Sequence, residues 1–336
     1  MTRIAINGLG RIGKLVLRRL IEDGIDAEIV LLADKTGDAA LHAHLLEFDS
    51  VHGRWPACFT ASGETLAIDG RAMRVAVSST VEGLPLNDLG IDLVLDCTGA
   101  FKTAVRLEPY FTAGVRKVLV SAPVKEEGAL NLVYGVNHHL YDPGRHRIVT
   151  AASCTTNCLA PVVKVLHEEI GIRHGSITTV HDVTNTQTMV DRPARDLRRA
   201  RSALNSMIPT TTGSATAITL IYPELEGRLN GHAVRVPLLN ASLTDAVFEM
   251  ERATDVEEVN GLFQTYAAGA LAGILGFEER PLVSADFLND PRSAIVDGPS
   301  TMVVNGTQVK VYAWYDNEWG YACRMADIAR LIVASL

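Results

Sequence analysis

Six residues near the start of the chain, Gly8-Leu9-Gly10-Arg11-Ile12-Gly13, constrain the fold more than any other stretch. They follow an apolar run, "RIAIN", with strand character and open a segment, Arg11 to Asp23, with helical periodicity. Glycine turns are common, so G-x-G-x-x-G alone is a weak signal. Between a strand and a helix it acquires a mechanism. The first glycine makes a tight turn, the second lets backbone approach a pyrophosphate, and the third permits close helix packing. The pyrophosphate would rest on the helix N-terminus. Asp34 ends the next apolar run, "EIVLLAD", where a carboxylate accepts from both ribose hydroxyls and repels a 2′-phosphate. NAD is therefore favoured over NADP, although the adjacent Lys35 pulls the other way. The alternative task for Asp34 is a plain strand-end cap.

Short β-rich runs recur after this unit ("DLVLDCTG", "KVLVSAP", "NLVYGVN", "RIVTAASC"), alternating with helical patterns. That alternation predicts a parallel sheet covered on both faces. The second half changes texture. "GSITTVHDV" and "HAVRVPLLNASLTDAVFEM" read as long strands of an antiparallel sheet, and Asn305-Gly306 marks a hairpin. The expected class is α/β: a doubly wound Rossmann domain over residues 1–153, joined by a C-terminal helix at 318–336. An α+β catalytic domain with a large, mainly antiparallel sheet takes residues 154–317.

The 336 residues suffice for two domains with a substantial core. A net charge of −8 argues against a nucleic-acid partner. Five scattered cysteines form neither a disulfide framework nor a zinc pattern, so no metal is expected. The N-terminus carries no charged leader with an apolar core, and no apolar run reaches the roughly 18 residues of a membrane span. A cytoplasmic chain without a membrane partner is the expectation.

Cys154 lies where "RIVTAAS" hands over to "TTNCLAPVVKVLHEEI", which has apolar residues at helical spacing. Such a cysteine is either a small buried hydrophobe or a nucleophile whose pKa the helix N-terminus lowers. Cys158, one turn on, reads as core. His181 ends the run "SITTV" before a polar loop, which marks it as a partner for the thiol. His42, His44, His138 and His139 read as solvated. Thr184, Thr210 to Thr212, Gly213 and Arg235 offer hydroxyls, amides and a guanidinium, the usual tools for phosphate. Five arginines crowd "RPARDLRRAR", best read as a solvated or intersubunit loop.

"INGLGRIG", "ASCTTNCLAP", "DLRRAR", "IPTTTG", "VRVP" and "YDNEWGY" occur in this order along essentially the whole chain. Together they resemble the phosphorylating glyceraldehyde-3-phosphate dehydrogenases. The resemblance implies that Cys154 attacks the aldehyde and that His181 acts as base and polarises the oxyanion. Hydride would pass to NAD, and inorganic phosphate would cleave the resulting thioester. Thr184 and Arg235, helped by Arg199, match the grip on the phosphate of glyceraldehyde 3-phosphate. Ser153, Thr155, Thr212 and Gly213 match the site of the attacking anion. Arg11, Ile12, Asp34, Ser121 and Asn317 match the cofactor contacts, beside Gly8, Gly10 and Gly13. A homotetramer is implied, with an S-loop at about Thr184 to Met207 reaching a neighbouring subunit's cofactor.

The chain departs from the family pattern at three places. Asp182 directly follows the histidine, where a small residue is usual; its carboxylate either raises the pKa of His181 or faces away. Thr216 stands where many members carry lysine. Arg192 stands where NAD-specific members have leucine, which with Lys35 leaves NADP open. The segments "HDVTNTQ" and "TTGSATAI" resemble a branch found beside arsenate-resistance genes, which implies arsenate as an alternative acyl acceptor. The rival readings are an erythrose-4-phosphate dehydrogenase, built on the same machinery, and a dinucleotide-sensing regulator without catalysis. Intact Cys154 and His181 argue against the regulator.

Overall fold

In the computed structural model, which describes residues Met1–Leu336, the strand Thr2–Asn7 lies inside a nine-stranded sheet. It pairs in parallel with Ala27–Asp34 on one side and Leu93–Asp96 on the other. From that centre the winding runs out to Arg71–Val77, then reverses to Leu93–Asp96, Lys117–Val120, Ile148–Thr150 and Ala129–Asn131. All seven of these strands are parallel; Thr65–Ile68 and Phe59–Ser62 extend one edge in antiparallel fashion. Strands of a sheet covered on both faces have no polar side, and Leu93–Asp96 is buried throughout. The helix Arg11–Asp23 buries Gly13, Val16, Leu17 and Leu20, the i, i+3, i+4, i+7 stripe of a helix with one face inward. The reversal in strand order places a switch point where the strands end at Asn7, Asp34, Asp96 and Val120. Ligands of doubly wound sheets bind at such points.

This first unit comprises Met1–Tyr134, His138–Ser153 and Ala322–Leu336; the second comprises Gly135–Asn137 and Cys154–Tyr321. The C-terminal helix runs Trp319–Val333, its later turns belonging to the first unit, where Arg330 Nη2 lies 2.9 Å from Asp23 Oδ2. Asp316 fixes the helix start, its Oδ1 accepting from the backbone N–H groups of Glu318 at 2.9 Å and Trp319 at 2.7 Å. No helix is long and apolar enough to cross a membrane.

The sheet of the second unit has eight strands. Its order is Ile208–Thr211, Leu229–Arg235, Ile172–His181, Ser242–Met250, Gln308–Tyr315, Ala294–Asp297 and Leu275–Glu278, with Met302–Val304 also on Gln308–Tyr315. Most pairings are antiparallel, and burial alternates residue by residue along Ser242–Met250. The hairpin expected at Asn305-Gly306 forms, with φ of 52° and 74° at the two residues. "HAVRVPLLNASLTDAVFEM" is not one strand but two. Leu229–Arg235 and Ser242–Met250 flank Ile172–His181 on opposite sides, the first in parallel and the second antiparallel. Pro237, which has no N–H for a ladder, lies in the loop that carries the chain across. The helix Cys154–Glu169 packs on this sheet, and every residue from Thr155 to Val163 is buried. Its first half therefore has no solvent face.

Candidate active site

The glycines of the first unit each answer to a different constraint. Gly8 has φ of +96°, and a Cβ there would fall 2.6 Å from the Cys97 carbonyl carbon. A Cβ on Gly13 would stand 1.9 Å from the Gly8 carbonyl oxygen, so the helix touches the strand end through bare backbone. A Cβ on Gly10 would meet nothing within 4 Å. Gly10 starts the helix, and no side chain caps that end. The open space over a helix N-terminus fits a pyrophosphate.

Asp34 performs the strand-end task considered for it. Its Oδ2 accepts from Leu9 N–H at 2.8 Å and its Oδ1 from Thr36 N–H at 3.1 Å, so it holds the glycine turn from the end of the next strand. Arg11 pairs with Asp49, Ile12 sits half-buried in the first helical turn, and Lys35 is exposed. Ser121 follows the strand Lys117–Val120, its N–H donating to Asp96 O at 2.9 Å beside the half-buried Cys97. Beneath lies a network invisible in the sequence. Tyr110 OH donates to the fully buried Asp96 Oδ2 at 2.7 Å and accepts from Asn7 Nδ2 at 2.6 Å. It ties together two neighbouring strand ends. His42, expected to be solvated, is buried 3.0 Å from Thr36 O, on the inward face of the helix Ala39–Glu47 and under Gly37. An open cradle, a helix start and a strand-end carboxylate together suit a dinucleotide.

In the second unit Cys154 is the first residue of its helix. The turn before it is so tight that Ala152 takes a left-handed conformation, with φ of +51°. For a residue with a Cβ that costs about 1–2 kcal/mol. Cys154 Sγ lies 3.7 Å from His181 Nε2. Strand register explains the next neighbour: His181 pairs with Arg235 across the parallel ladder, and Arg235 Nη1 comes within 2.5 Å of His181 Nδ1. Asp182 turns toward the histidine. Its Oδ1 is 2.6 Å from Nδ1, an ion-pair contact whose geometry falls short of a hydrogen bond. Its Oδ2 accepts from Asn317 Nδ2 at 2.9 Å. Ser242 Oγ donates to Asn317 Oδ1 at 2.9 Å and accepts from Asp182 N–H at 3.2 Å. The Tyr315 ring stands edge-on to the imidazole at 6.1 Å.

Electrostatics follow from this packing. Burial pushes the Cys154 thiol up, but the adjoining His181, with help from the Arg235 charge, outweighs burial and holds it below its ordinary value; Asp182 opposes. Burial pushes His181 down, and the Asp182 carboxylate and the Cys154 sulfur more than reverse this, so its pKa is raised. Cys158 is buried, and burial pushes its thiol up to about 12. One cysteine is tuned and the other inert.

The anion-binding candidates are not all assembled. Arg235 Nε is buried with no hydrogen-bond partner, and Arg199 is near enough for its charge to lower the Arg235 pKa after burial and the neighbouring anions have acted. An unpaired buried guanidinium N–H with a second cation beside it suits a phosphate group. Arg199 Nε donates to Thr210 Oγ1 at 3.0 Å. Thr184 turns its hydroxyl to Thr186 Oγ1 at 2.9 Å and Gln187 Oε1 at 3.2 Å. Thr212 Oγ1 is 3.0 Å from Ser214 Oγ, and Gly213 begins the short helix Ser214–Thr219 with open space beside its Cα. Ser153 directly precedes the Cys154 helix, whereas the Thr155 hydroxyl faces inward to Tyr315 OH at 3.1 Å. Tyr315 OH also meets Thr179 Oγ1 at 2.8 Å. Ser242 had no sequence signal of its own, since its partners lie 60 or more residues away, and Tyr315 stood only as the first residue of "YDNEWGY", without a role.

Comparison with known proteins agrees with this geometry. The family described as "Glyceraldehyde 3-phosphate dehydrogenase, NAD binding domain" matches residues 2–104. "Glyceraldehyde 3-phosphate dehydrogenase, C-terminal domain" matches residues 153–317. Glyceraldehyde-3-phosphate dehydrogenase 3 of a Nostoc species is 60% identical over 335 residues, covering 99% of each chain. Glyceraldehyde-3-phosphate dehydrogenase of Pseudomonas aeruginosa is 48% identical over 334 residues (99% of this chain, 98% of the relative). That of Geobacillus stearothermophilus is 47% identical over 332 residues, with the same coverage. Two matched domains and near-complete coverage by these relatives lead to one conclusion: the chain belongs to the glyceraldehyde-3-phosphate dehydrogenase family.

Proposed function

We propose that this chain oxidises glyceraldehyde 3-phosphate with NAD and transfers the acyl group to inorganic phosphate, through a thioester on Cys154. The observation that carries the reading is the Cys154–His181 contact of 3.7 Å at a helix start, in a chain of this family. As a thiolate, Cys154 attacks the aldehyde carbon and forms the C–S bond of a hemithioacetal. His181, protonated at Nε2, faces the oxygen on which negative charge develops and gives it that proton, leaving a neutral imidazole. NAD, when bound, supplies the two-electron acceptor. His181 then takes the hydroxyl proton as the carbon is oxidised to a thioester. Phosphate attacks that carbon, and the C–S bond breaks to return the Cys154 thiolate.

Arg235, with Thr184 and Arg199, holds the substrate's phosphate; Ser153, Thr212 and Gly213 hold the attacking anion, whereas the Thr155 hydroxyl expected there is taken by Tyr315. Asn317 and Ser121 complete the cofactor contacts. Arsenate is a nearly isosteric tetrahedral anion and enters the same site, giving 1-arseno-3-phosphoglycerate; the variant segments "HDVTNTQ" and "TTGSATAI" support a task in arsenate resistance. We place the protein in the cytoplasm as a homotetramer. Met189, Val190, Leu197, Leu204 and Met207 leave more than half of their surface exposed in one segment, which supports a further subunit as cover.

NADH formation from glyceraldehyde 3-phosphate, with phosphate or arsenate varied and Cys154→Ser as control, tests the reading. Turnover with both anions, lost in Cys154→Ser, is expected. A markedly lower half-saturation for arsenate would favour the resistance task. No turnover by a chain that binds NAD would overturn the activity.

A further inference from the structure

Asp182 takes no part in the bond-making steps, yet its carboxylate is 1% exposed in the middle of the site. A buried carboxylate is costly unless it is paired and hydrogen-bonded. Here Oδ2 is hydrogen-bonded and Oδ1 rests against the imidazole without a hydrogen bond. A carboxylate only accepts, so Asn317 must present its NH2 to Oδ2 and its carbonyl to the Ser242 hydroxyl. The backbone N–H of Asp182 donates to the same Ser242 oxygen. The side chain cannot swing away from His181 without breaking this chain of bonds.

The groups facing the imidazole come from every neighbouring element. Cys154 faces Nε2 from its helix, Arg235 approaches Nδ1 from the adjacent parallel strand, and the Tyr315 ring presents its edge. Burial and the Arg235 guanidinium both oppose a protonated imidazole. Among the charged groups, only the Asp182 carboxylate and a thiolate on Cys154 favour one. We propose that Asp182 is the positioning residue of this site: its main-chain oxygen lies 3.0 Å from His181 Nδ1, and its carboxylate, held by Asn317 and through it by Ser242, supplies the counter-charge for an imidazolium beside the Cys154 thiolate. This rests on the assignment of Cys154 and His181 made above.

The sign of the effect follows. The imidazolium persists below the raised His181 pKa and is lost as pH rises through it. Without Asp182 the proton leaves at lower pH, and the thiolate loses the partner that stabilises it; the carboxylate's direct repulsion of the thiolate is lost too, but it is smaller than the effect of His181. The test is alkylation by iodoacetamide across acidic to alkaline pH, without cofactor, read as the modified Cys154 peptide by mass spectrometry. Asp182→Asn and Asp182→Ala are expected to move the rise in reactivity upward by about 1–2 pH units, slowing alkylation roughly 10- to 100-fold on the acidic side. Ser242→Ala, which loosens the network but keeps the charge, is expected to lower Tm with the rise near its original position. A wild-type rise in both folded Asp182 variants overturns the proposal, as does a Ser242→Ala shift as large as theirs. If neither Asp182 variant folds, ultraviolet titration of the thiolate in the wild type against Cys154→Ser locates the same rise, and a value typical of a free thiol overturns it. An inactive wild type refutes the dehydrogenase reading and leaves this profile intact; an active enzyme with unchanged variant profiles refutes only Asp182.

Discussion

Gly10 and Gly13 stand in one turn, yet replacing each by alanine should fail in opposite ways. At Gly13 the new Cβ would sit 1.9 Å from the Gly8 carbonyl oxygen. That is about 1.4 Å short of the roughly 3.3 Å of a close carbon–oxygen contact. The obstacle is backbone on both sides, so the helix must leave the strand. Overpacking ordinarily costs about 1–3 kcal/mol, and with no flexible side chain to yield, Gly13→Ala belongs at about 3 kcal/mol or above. At Gly10 the backbone, with φ of −74° and ψ of −160°, suits alanine and nothing in the protein touches the added carbon. Unfolded-chain entropy then favours Gly10→Ala by about 0.4–1 kcal/mol. Its Cβ projects into the cradle proposed for the pyrophosphate, so the dissociation constant for NAD should rise at least ~10-fold, or about 1.4 kcal/mol. Urea unfolding and calorimetric titration with NAD on both variants separate the effects. A Gly10→Ala chain that binds NAD as tightly as the wild type would refute the location of the cradle. A Gly13→Ala chain of unchanged stability would refute the backbone contact.

Cys154→Ser should abolish NADH formation and the reactive-thiol signal, whereas Cys158→Ser should keep both, because burial holds that thiol at about 12, far from ionising; peptide-resolved alkylation checks the pair. Asp34→Ala removes a charged acceptor from Leu9 N–H and the carboxylate proposed for the ribose, contacts worth about 1.5–3 kcal/mol each. NAD affinity should fall ~10- to 100-fold with little change for NADP, and an unaltered ratio of the two affinities would count against the assignment. Tyr110→Phe strips Asp96 and Asn7 of their shared partner and should cost about 1–3 kcal/mol in urea unfolding. Burial raises the Asp96 pKa, and the tyrosine hydrogen bond lowers it, which means that the bond favours the ionised form. Its loss should therefore cost more at neutral than at acidic pH, and the reverse trend would contradict the network.

Local signals carried most of the fold. The helix Arg11–Asp23 lies where the periodicity puts it, because its start is set by a glycine turn and its inward stripe by residues three and four apart. The Asn305-Gly306 hairpin is equally local, since positive φ at two successive residues selects those residue types. What local pattern does not encode is the partner of a strand. Leu229–Arg235 and Ser242–Met250 read as one alternating run because period-2 alternation is the same whichever neighbour a strand takes. Their placement on both sides of Ile172–His181 depends on a third segment about 50 residues upstream. That placement, and not any motif, brings Arg235 beside His181.

The site divides along the same line. Cys154 at a helix start and His181 at a strand end occupy positions where sequence alone marks chemistry, since element ends leave side chains accessible and backbone dipoles unspent. Asp182 is the opposite case. Within a strand, alternation would send it to the face away from His181. It lies one residue past the ladder, however, where the chain leaves the sheet and period 2 no longer governs direction. Which way it points is settled by what can satisfy a buried carboxylate. The donor that does so, Asn317, lies 135 residues away on the loop before the C-terminal helix. The motif "YDNEWGY" thus carries three structural obligations: Asp316 caps that helix, Tyr315 braces Thr155 and Thr179, and Asn317 holds Asp182 against the histidine. A carboxylate after the histidine is tolerated in this chain because Asn317 and Ser242 are placed to receive it, so removing either partner should unsettle Asp182 before it disturbs Cys154.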